Sequence, residues 1–237
     1  AYAAKRHYFM GESLVLHNPS PELSVAENLL RMMRPDQSYT AEEAHLLDLM
    51  LILHAEHSSN NSTFVCRAIS SSGSDTYSAI AGAVGSLKGP LHGGANAKVM
   101  RMYRDICAHI GHTPDDAALG AYLDSILDGN VGDHSGKIYG LGHAVYTMSD
   151  PRAIVIQKYA ADLAREKGCL ADLELMERIE QMGIEKITKR KNLNIPMCAN
   201  VDFYSGFVYD MLGIPEDLFT PVFAVARIAG WCAHRME

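Results

Sequence analysis

The sequence predicts a mainly α-helical fold, and three observations carry that prediction. Helix start and stop signals recur along the whole chain, apolar residues fall at helical spacing, and no segment keeps up a period-two alternation between hairpin turns. Capping boxes at Ser24-x-x-Glu27 and Thr40-x-x-Glu43 precede apolar stripes at Leu29, Leu30, Met33 and at Leu46, Leu47, Met50, Leu51. Asp75 starts a further helix that stops at Gly89-Pro90, and Ala95 to Ile110 follows. Thr113-Pro114 opens a helix ending at Gly129, and Asp150-Pro151 opens one ending at Gly168. Leu173 to Lys189 continues the pattern, Phe203 to Leu212 closes on Gly213, and Pro221 to the C-terminus carries Phe223, Val225, Ile228 and Trp231 on one face. Any strand is confined to a short stretch near Lys137 to Tyr139. No internal repeat of 20–50 residues marks a solenoid.

The chain has 237 residues, 48% of them hydrophobic, and a net charge of −7. That acidity and the shortness of the one basic run, Lys189-Arg190-Lys191, argue against nucleic acid or an anionic membrane as the main partner. No apolar run reaches the roughly 18 residues a membrane span needs. Five scattered cysteines without CxxC spacing fit reduced thiols in a cytoplasm, so neither a disulfide framework nor structural zinc is expected. The sequons at Asn60 and Asn61 lack an accompanying signal peptide and read as idle. Both ends read as cut, which suggests part of a longer protein.

The densest chemical signal is Gly89-Pro-Leu-His92-Gly-Gly-Ala-Asn96. A histidine between a helix stop and the opening of the next helix is expected at a helix N-terminus, where the dipole favours neutral imidazole and leaves a donor for a developing oxyanion. A capping histidine in a tight turn is the plainer alternative. Similar punctuation recurs at Gly140-Leu-Gly-His143, running on to Asp150-Pro-Arg152, and at Asn200-Val-Asp202 before Phe203-Tyr-Ser-Gly206. Asp202 reads either as an N-cap or as a carboxylate facing a cleft. Arg152, a cation in a first helical turn, needs a partner: Asp150 or a bound carboxylate. Arg227, on an apolar stripe, is expected to be partly buried and paired. His54 and His57, three residues apart, could chelate a metal, join a structural polar network or bind substrate.

Together these blocks resemble citrate synthase. His54-Ala-Glu-His57 with Asn61-Ser-Thr63, Ser86 to Asn96, Gly140-Leu-Gly-His143 with Asp150-Pro-Arg152, and Asn200-Val-Asp-Phe-Tyr-Ser-Gly206 with Phe219-Thr-Pro and Arg227 stand in that family's order. The resemblance implies an all-α, two-domain fold, with residues 1–95 and 206–237 forming part of an incomplete large domain and 96–205 the small domain. It implies condensation of acetyl-CoA with oxaloacetate and water to citrate and CoA. Asp202 would be the base, His92 the donor to the enolate oxygen, and His143 the group that polarises the oxaloacetate carbonyl. His57, Arg152 and Arg227 would bind the two carboxylates. Ile138, Gly140, Leu141 and Gly142 would recognise CoA, with acetyl-CoA a co-substrate, no permanently bound cofactor and no metal. A cytoplasmic homodimer is implied. Departures occur at Tyr146-Thr147-Met148, where the family carries Lys or Arg, and at Ala199. Two alternatives stay open: a 2-methylcitrate synthase using propionyl-CoA, and a non-catalytic helical fragment.

Overall fold

The computed structural model describes residues 1–89, 92–142, 146, 148–194 and 197–237. Among these the chain is helical. Its helices are α1 (Tyr2–Met10), α2 (Val25–Met33), α3 (Ala41–Ala55), α4 (Asn61–Ser70), α5 (Thr76–Leu87), α6 (Ala95–Ile110), α7 (Asp116–Leu127), α8 (Pro151–Glu166), α9 (Leu170–Lys191), α10 (Val201–Met211) and α11 (Phe219–Met236), with a 3₁₀ turn at Glu216–Leu218. The stretch near Lys137 to Tyr139, to which the sequence confined any strand, forms none. The only extended pairing among the described residues is one antiparallel bridge between Leu141 and Ala199.

Both capping boxes form: Ser24 Oγ accepts from Glu27 N–H at 3.1 Å while Glu27 returns the bond to Ser24 N–H at 2.7 Å, and Thr40 and Glu43 do the same. Three helix starts differ from the sequence reading, each by a side-chain cap. Asp115, rather than Thr113, caps α7 by accepting from Ala118 N–H. Asn60 caps α4, a helix unforeseen in the polar run Ser58 to Thr63. Asn200 caps α10 and moves its start ahead of Phe203.

The centre of the fold is α10. Eight of its eleven residues, from Val201 to Tyr209, are buried, as a helix enclosed on all sides requires. It packs against α6 and α8, while α8 also meets α3 and α9. Gly206 lies inside α10, where a Cβ would meet Asn96 O at 2.8 Å and Met100 Cγ at 2.7 Å. Close approach of α6 is what this glycine supplies. A smaller core of Cys66, Ala79, Ala83, Leu87, Phe223 and Trp231 joins α4 and α5 to α11.

One buried charge ties three helices together. Glu43, 2% exposed, accepts from Arg34 at 2.5 and 3.0 Å and also pairs with Lys167 at the end of α8, while Arg34 reaches the Leu212 carbonyl at 2.7 Å. Burial alone would raise the Glu43 pKa, but the Arg34 and Lys167 bonds outweigh it and hold the carboxyl at about 2.

That depressed value stabilises the fold above the ordinary carboxylate range, and the contribution is lost as pH falls from 4.5 towards 2. Glu43→Gln should therefore cost about 2 kcal/mol at pH 7, less than a fully buried pair because both cations are partly exposed. The deficit should shrink towards pH 3 in denaturant titrations. Gly230→Ala tests the packing of α11. A Cβ there would run into the Ala55 carbonyl oxygen at the end of α3, so calorimetry should show a lower Tm despite a helix-propensity gain of about 1 kcal/mol.

Candidate active site

Asp202 stands one residue inside α10, and its cap is Asn200, which corrects the N-cap reading of Asp202. Asn200 Oδ1 accepts from Asp202 N–H at 3.0 Å, its Nδ2 donates to Gly142 O at 3.1 Å, and its backbone N–H donates to Gly140 O at 2.9 Å. Gly142 N–H in turn donates to Cys198 O at 2.8 Å. The Gly140–Gly142 loop is thus stapled to the start of α10. Asn200 escaped notice as a site residue, although Asn immediately before Val201-Asp202 is a cap signal. Gly140 (φ 79°) and Gly142 (φ 94°) hold left-handed backbone, and a Cβ on Gly140 would strike Phe203 Cδ2 at 2.7 Å. Of the four loop residues marked for CoA, Ile138 is buried in the core and Leu141 forms the bridge to Ala199.

The Asp202 side chain lines the cavity described below. Its Oδ1 is buried and has no hydrogen-bond partner among the described residues. Burial pushes its pKa up to about 6, against the opposing charges of Arg152 and Arg227 and with a smaller upward push from Asp150.

Arg152 lies in the first turn of α8 and grips Asp150 in fork geometry, Nε to Oδ1 at 3.0 Å and Nη2 to Oδ2 at 2.7 Å. Asp150, 1% exposed, also caps the helix through Arg152 N–H. The Asp150 partner is thus present, and the paired guanidinium also lines the cavity beside Asp202. Arg227 is 1% exposed, more deeply buried than its stripe suggested. Its Nε donates to His54 O at 2.7 Å and its guanidinium lies 4.9 Å from the Phe223 ring centre. No carboxylate among the described residues is within ion-pair distance of it, so the expected pairing is with backbone and ring. Burial lowers its pKa to about 10.

His54 and His57 go to different places, so the chelating pair is not formed. His54 is fully buried, its Nδ1 on Met50 O at 2.8 Å, and burial lowers its pKa to about 4. His57 lines the cavity, with its ring edge-on to Tyr146 at 5.7 Å. Among the described residues no group of three or more His, Cys, Asp or Glu is placed to hold a metal ion.

His92 does sit at a helix N-terminus, but that of α4 rather than the helix that follows it. Ser62 N–H, in the first turn of α4, donates to His92 Nε2 at 3.2 Å, and Ser62 Oγ lies 2.9 Å from the same nitrogen. A nitrogen that accepts from a backbone N–H carries no proton, so the neutral ring bears its hydrogen on Nδ1. Burial, helped by the Arg227 charge, lowers the His92 pKa and favours that neutral form. Gly93 allows the turn, because a Cβ would collide with Leu87 O.

One cavity of about 220 Å³ is lined by His57, Asn60, His92, Gly142, Arg152, Asn200, Val201, Asp202 and Arg227. Residues from 57 to 227 in sequence thus converge. His143 lies outside the described residues. A separate cavity of about 320 Å³ opens beside Lys98, Lys137 and Tyr139, on the same loop that carries Gly140. In the basic run, Arg190 is engaged by Asp124 and Asp128.

The whole chain, residues 1–237, matches the family model for the C-terminal domain of citrate synthase. It is 42% identical to the citrate synthase of Deinococcus radiodurans, over 92% of this chain and 53% of that protein, and 39% identical to citrate synthase 2 of Bacillus subtilis over the same shares. The chain thus spans about half the length of these curated relatives. Among solved structures it resembles citrate synthase from Pyrobaculum aerophilum, with a TM-score of 0.78 and 33% identity over 99% of this chain and 54% of that one. It also resembles the ternary complex of carboxymethyl coenzyme A and oxaloacetate with citrate synthase from Thermoplasma acidophilum, with a TM-score of 0.74 and 31% identity over 98% of this chain and 56% of that one. With a family model covering every residue and relatives near 40% identity, the chain belongs to the citrate synthase family.

Proposed function

We propose that the complete protein carrying this chain condenses acetyl-CoA with oxaloacetate and water to give citrate and CoA. The observation that carries this reading is the convergence on one cavity of a partner-poor carboxylate, one buried and one half-buried arginine and a neutral histidine with its proton on Nδ1. The α-proton of a thioester is a very weak acid. Its removal requires a base whose pKa approaches the working pH and a donor already in place for the enolate oxygen. Asp202, near 6, suits the first role. His92 Nδ1–H suits the second.

In this reading Asp202 takes a methyl proton and His92 donates to the thioester oxygen. The new carbon nucleophile attacks the oxaloacetate carbonyl, whose oxygen takes a proton, a step the family resemblance gives to His143. Water then cleaves the thioester, releasing citrate and CoA. Arg152, Arg227 and His57 hold the dianion, giving an acidic chain the local positive cluster it needs. The loop of Ile138, Gly140, Leu141 and Gly142 offers its backbone to CoA, with the Ile138 side chain and the Leu141 bridge anchoring it.

We place residues 1–95 and 206–237 in the large domain and 96–205 in the small one. The cavity takes His57, His92 and Arg227 from the first and Gly142, Arg152 and Asp202 from the second. Oxaloacetate bound between them favours closure, since it contacts both sides only when they meet. Exposed Phe64, Tyr77 and Val84 on α4 and α5 support a homodimer. All five cysteines are unpaired, which supports a cytoplasmic protein, and among the described residues no helix is long and apolar enough to cross a membrane.

Assaying citrate and thiol release by the complete protein with acetyl-CoA and propionyl-CoA tests this reading, and absence of product with either would refute it. Asp202→Asn should lower kcat by roughly 10²–10⁴-fold and leave oxaloacetate binding nearly intact. Because the folded pKa of Asp202 lies above the unfolded one, its ionised form weakens the fold as pH rises from about 4 through 6. The same variant should therefore gain about 2 kcal/mol of stability at pH 8 and little at pH 4 in denaturant titrations. Arg152→Ala should weaken oxaloacetate binding by about 2–5 kcal/mol in calorimetry, and Arg152→Lys should recover only part, since lysine lacks the fork.

A further inference from the structure

Buried polar atoms without a hydrogen-bond partner among the described residues gather on and against α10. Asp202 Oδ1, Ser205 Oγ and Tyr209 Oη lie on the helix itself, and His54 Nε2 lies beside it on α3. Tyr209 stands seven residues after Asp202, two turns along the same face. A long helical side chain leans back towards the helix N-terminus, so its hydroxyl is carried towards the carboxylate. Burial and then the Asp202 charge push the Tyr209 pKa up, as that approach requires. The His54 ring lies 6.3 Å from the Tyr209 ring, centre to centre, and His54 and Asp202 feel the same three charges, Arg152, Arg227 and Asp150. Phe219, 5.2 Å from the Tyr209 ring, and Phe223, 4.9 Å from the His54 ring, take up neighbouring space and offer no polar partner.

We propose that Tyr209 is a positioning residue for Asp202, holding the buried oxygen of its carboxylate through one water molecule that His54 also binds. The count of hydrogens and lone pairs leads there. His54 Nδ1 donates to Met50 O at 2.8 Å, so the neutral ring, favoured by burial, leaves Nε2 a bare lone pair. Oδ1 of an ionised carboxylate is likewise only an acceptor. Neither can serve the other, and the Tyr209 hydroxyl has one hydrogen for the two of them. A water completes the set: it donates one hydrogen to Oδ1 and one to Nε2 and accepts the Tyr209 hydrogen, the usual three bonds of an internal water. Of the two hydroxyls on α10, Tyr209 is the one with its ring beside His54.

Such a tie fixes Oδ1 on the buried side and leaves Oδ2 to the cavity that Asp202 lines. A carboxylate free to turn would present either oxygen and lose alignment with a bound substrate. The charged and titratable groups facing Asp202 are Arg152 on α8, Arg227 on α11 and Asp150 ahead of α8, with His57 and His92 in the same cavity. Loss of the Tyr209 hydroxyl leaves all of these in place. It weakens only the hydrogen bonding to Oδ1, so the ionised carboxylate becomes harder to keep.

The catalytic consequence rests on the proposed function, but the place of the water does not. Tyr209→Phe in the complete protein removes one hydroxyl and keeps the ring. By ¹³C NMR the Asp202 carboxyl should then titrate about one pH unit higher than in the parent. In the assay kcat should fall about tenfold and its acid limb should move up, with KM for oxaloacetate unchanged. Ser205→Ala should leave the Asp202 titration at the parent value. A high-resolution crystal structure of the complete protein should show one water about 3 Å from each of Asp202 Oδ1, Tyr209 Oη and His54 Nε2. An unaltered Asp202 titration in Tyr209→Phe would overturn the proposal, and a higher Tm would then mark the hydroxyl as buried without a partner. An equal shift in Ser205→Ala, or a crystal structure in which no water touches all three atoms, would overturn it as well. A protein that forms no citrate would refute the proposed function, and the titration and the crystal structure would still decide the role of Tyr209.

Discussion

A carboxylate held out of water with one oxygen lacking a hydrogen-bond partner sets the terms for the structure around it. Asp202 can exist there only because α10 is enclosed on all sides and Asn200 takes over the capping that a first-turn aspartate otherwise tends to provide. Desolvation would push such a group towards the neutral acid, and the charges of Arg152 and Arg227 restrain it. Arg227 is buried in turn and Arg152 half-buried, and each has its own support: Asp150 for Arg152, the His54 carbonyl and the Phe223 ring for Arg227. The pattern is a chain of compensations that runs from one charged group to the next.

The histidine shows the same economy. His92 is held by a donor that α4 would otherwise leave unsatisfied, so one bond completes a helix end and fixes a tautomer. Glycines make both arrangements possible by close approach. Gly93 lets the chain pass Leu87 O, and Gly206 lets α6 lie against α10.

Much of this was legible in the sequence, because caps and glycines are local signals. Ser24, Thr40, Asp75 and Asp150 all act as the caps they resemble. The blocks around His92, Arg152 and Asp202 pointed to one site. What stayed hidden depended on which helix met which. Nothing near His92 in sequence says that its Nε2 would find α4, since Ser62 lies thirty residues away. Likewise, His54 and His57 look alike on paper, yet one packs against Phe223 in the core and the other lines the cavity. Asn60 and Asn200 went unmarked because an N-cap is an ordinary duty until its remaining amide atoms are seen to hold a site together.

The central claim is that Asp202 is a desolvated carboxylate poised as a base, and its own titration tests that most directly. The carboxyl carbon of Asp202, followed by ¹³C NMR in the ligand-free complete protein and identified by its loss in Asp202→Asn, should titrate near 6. A midpoint in the ordinary aspartate range, about 4, would contradict the account.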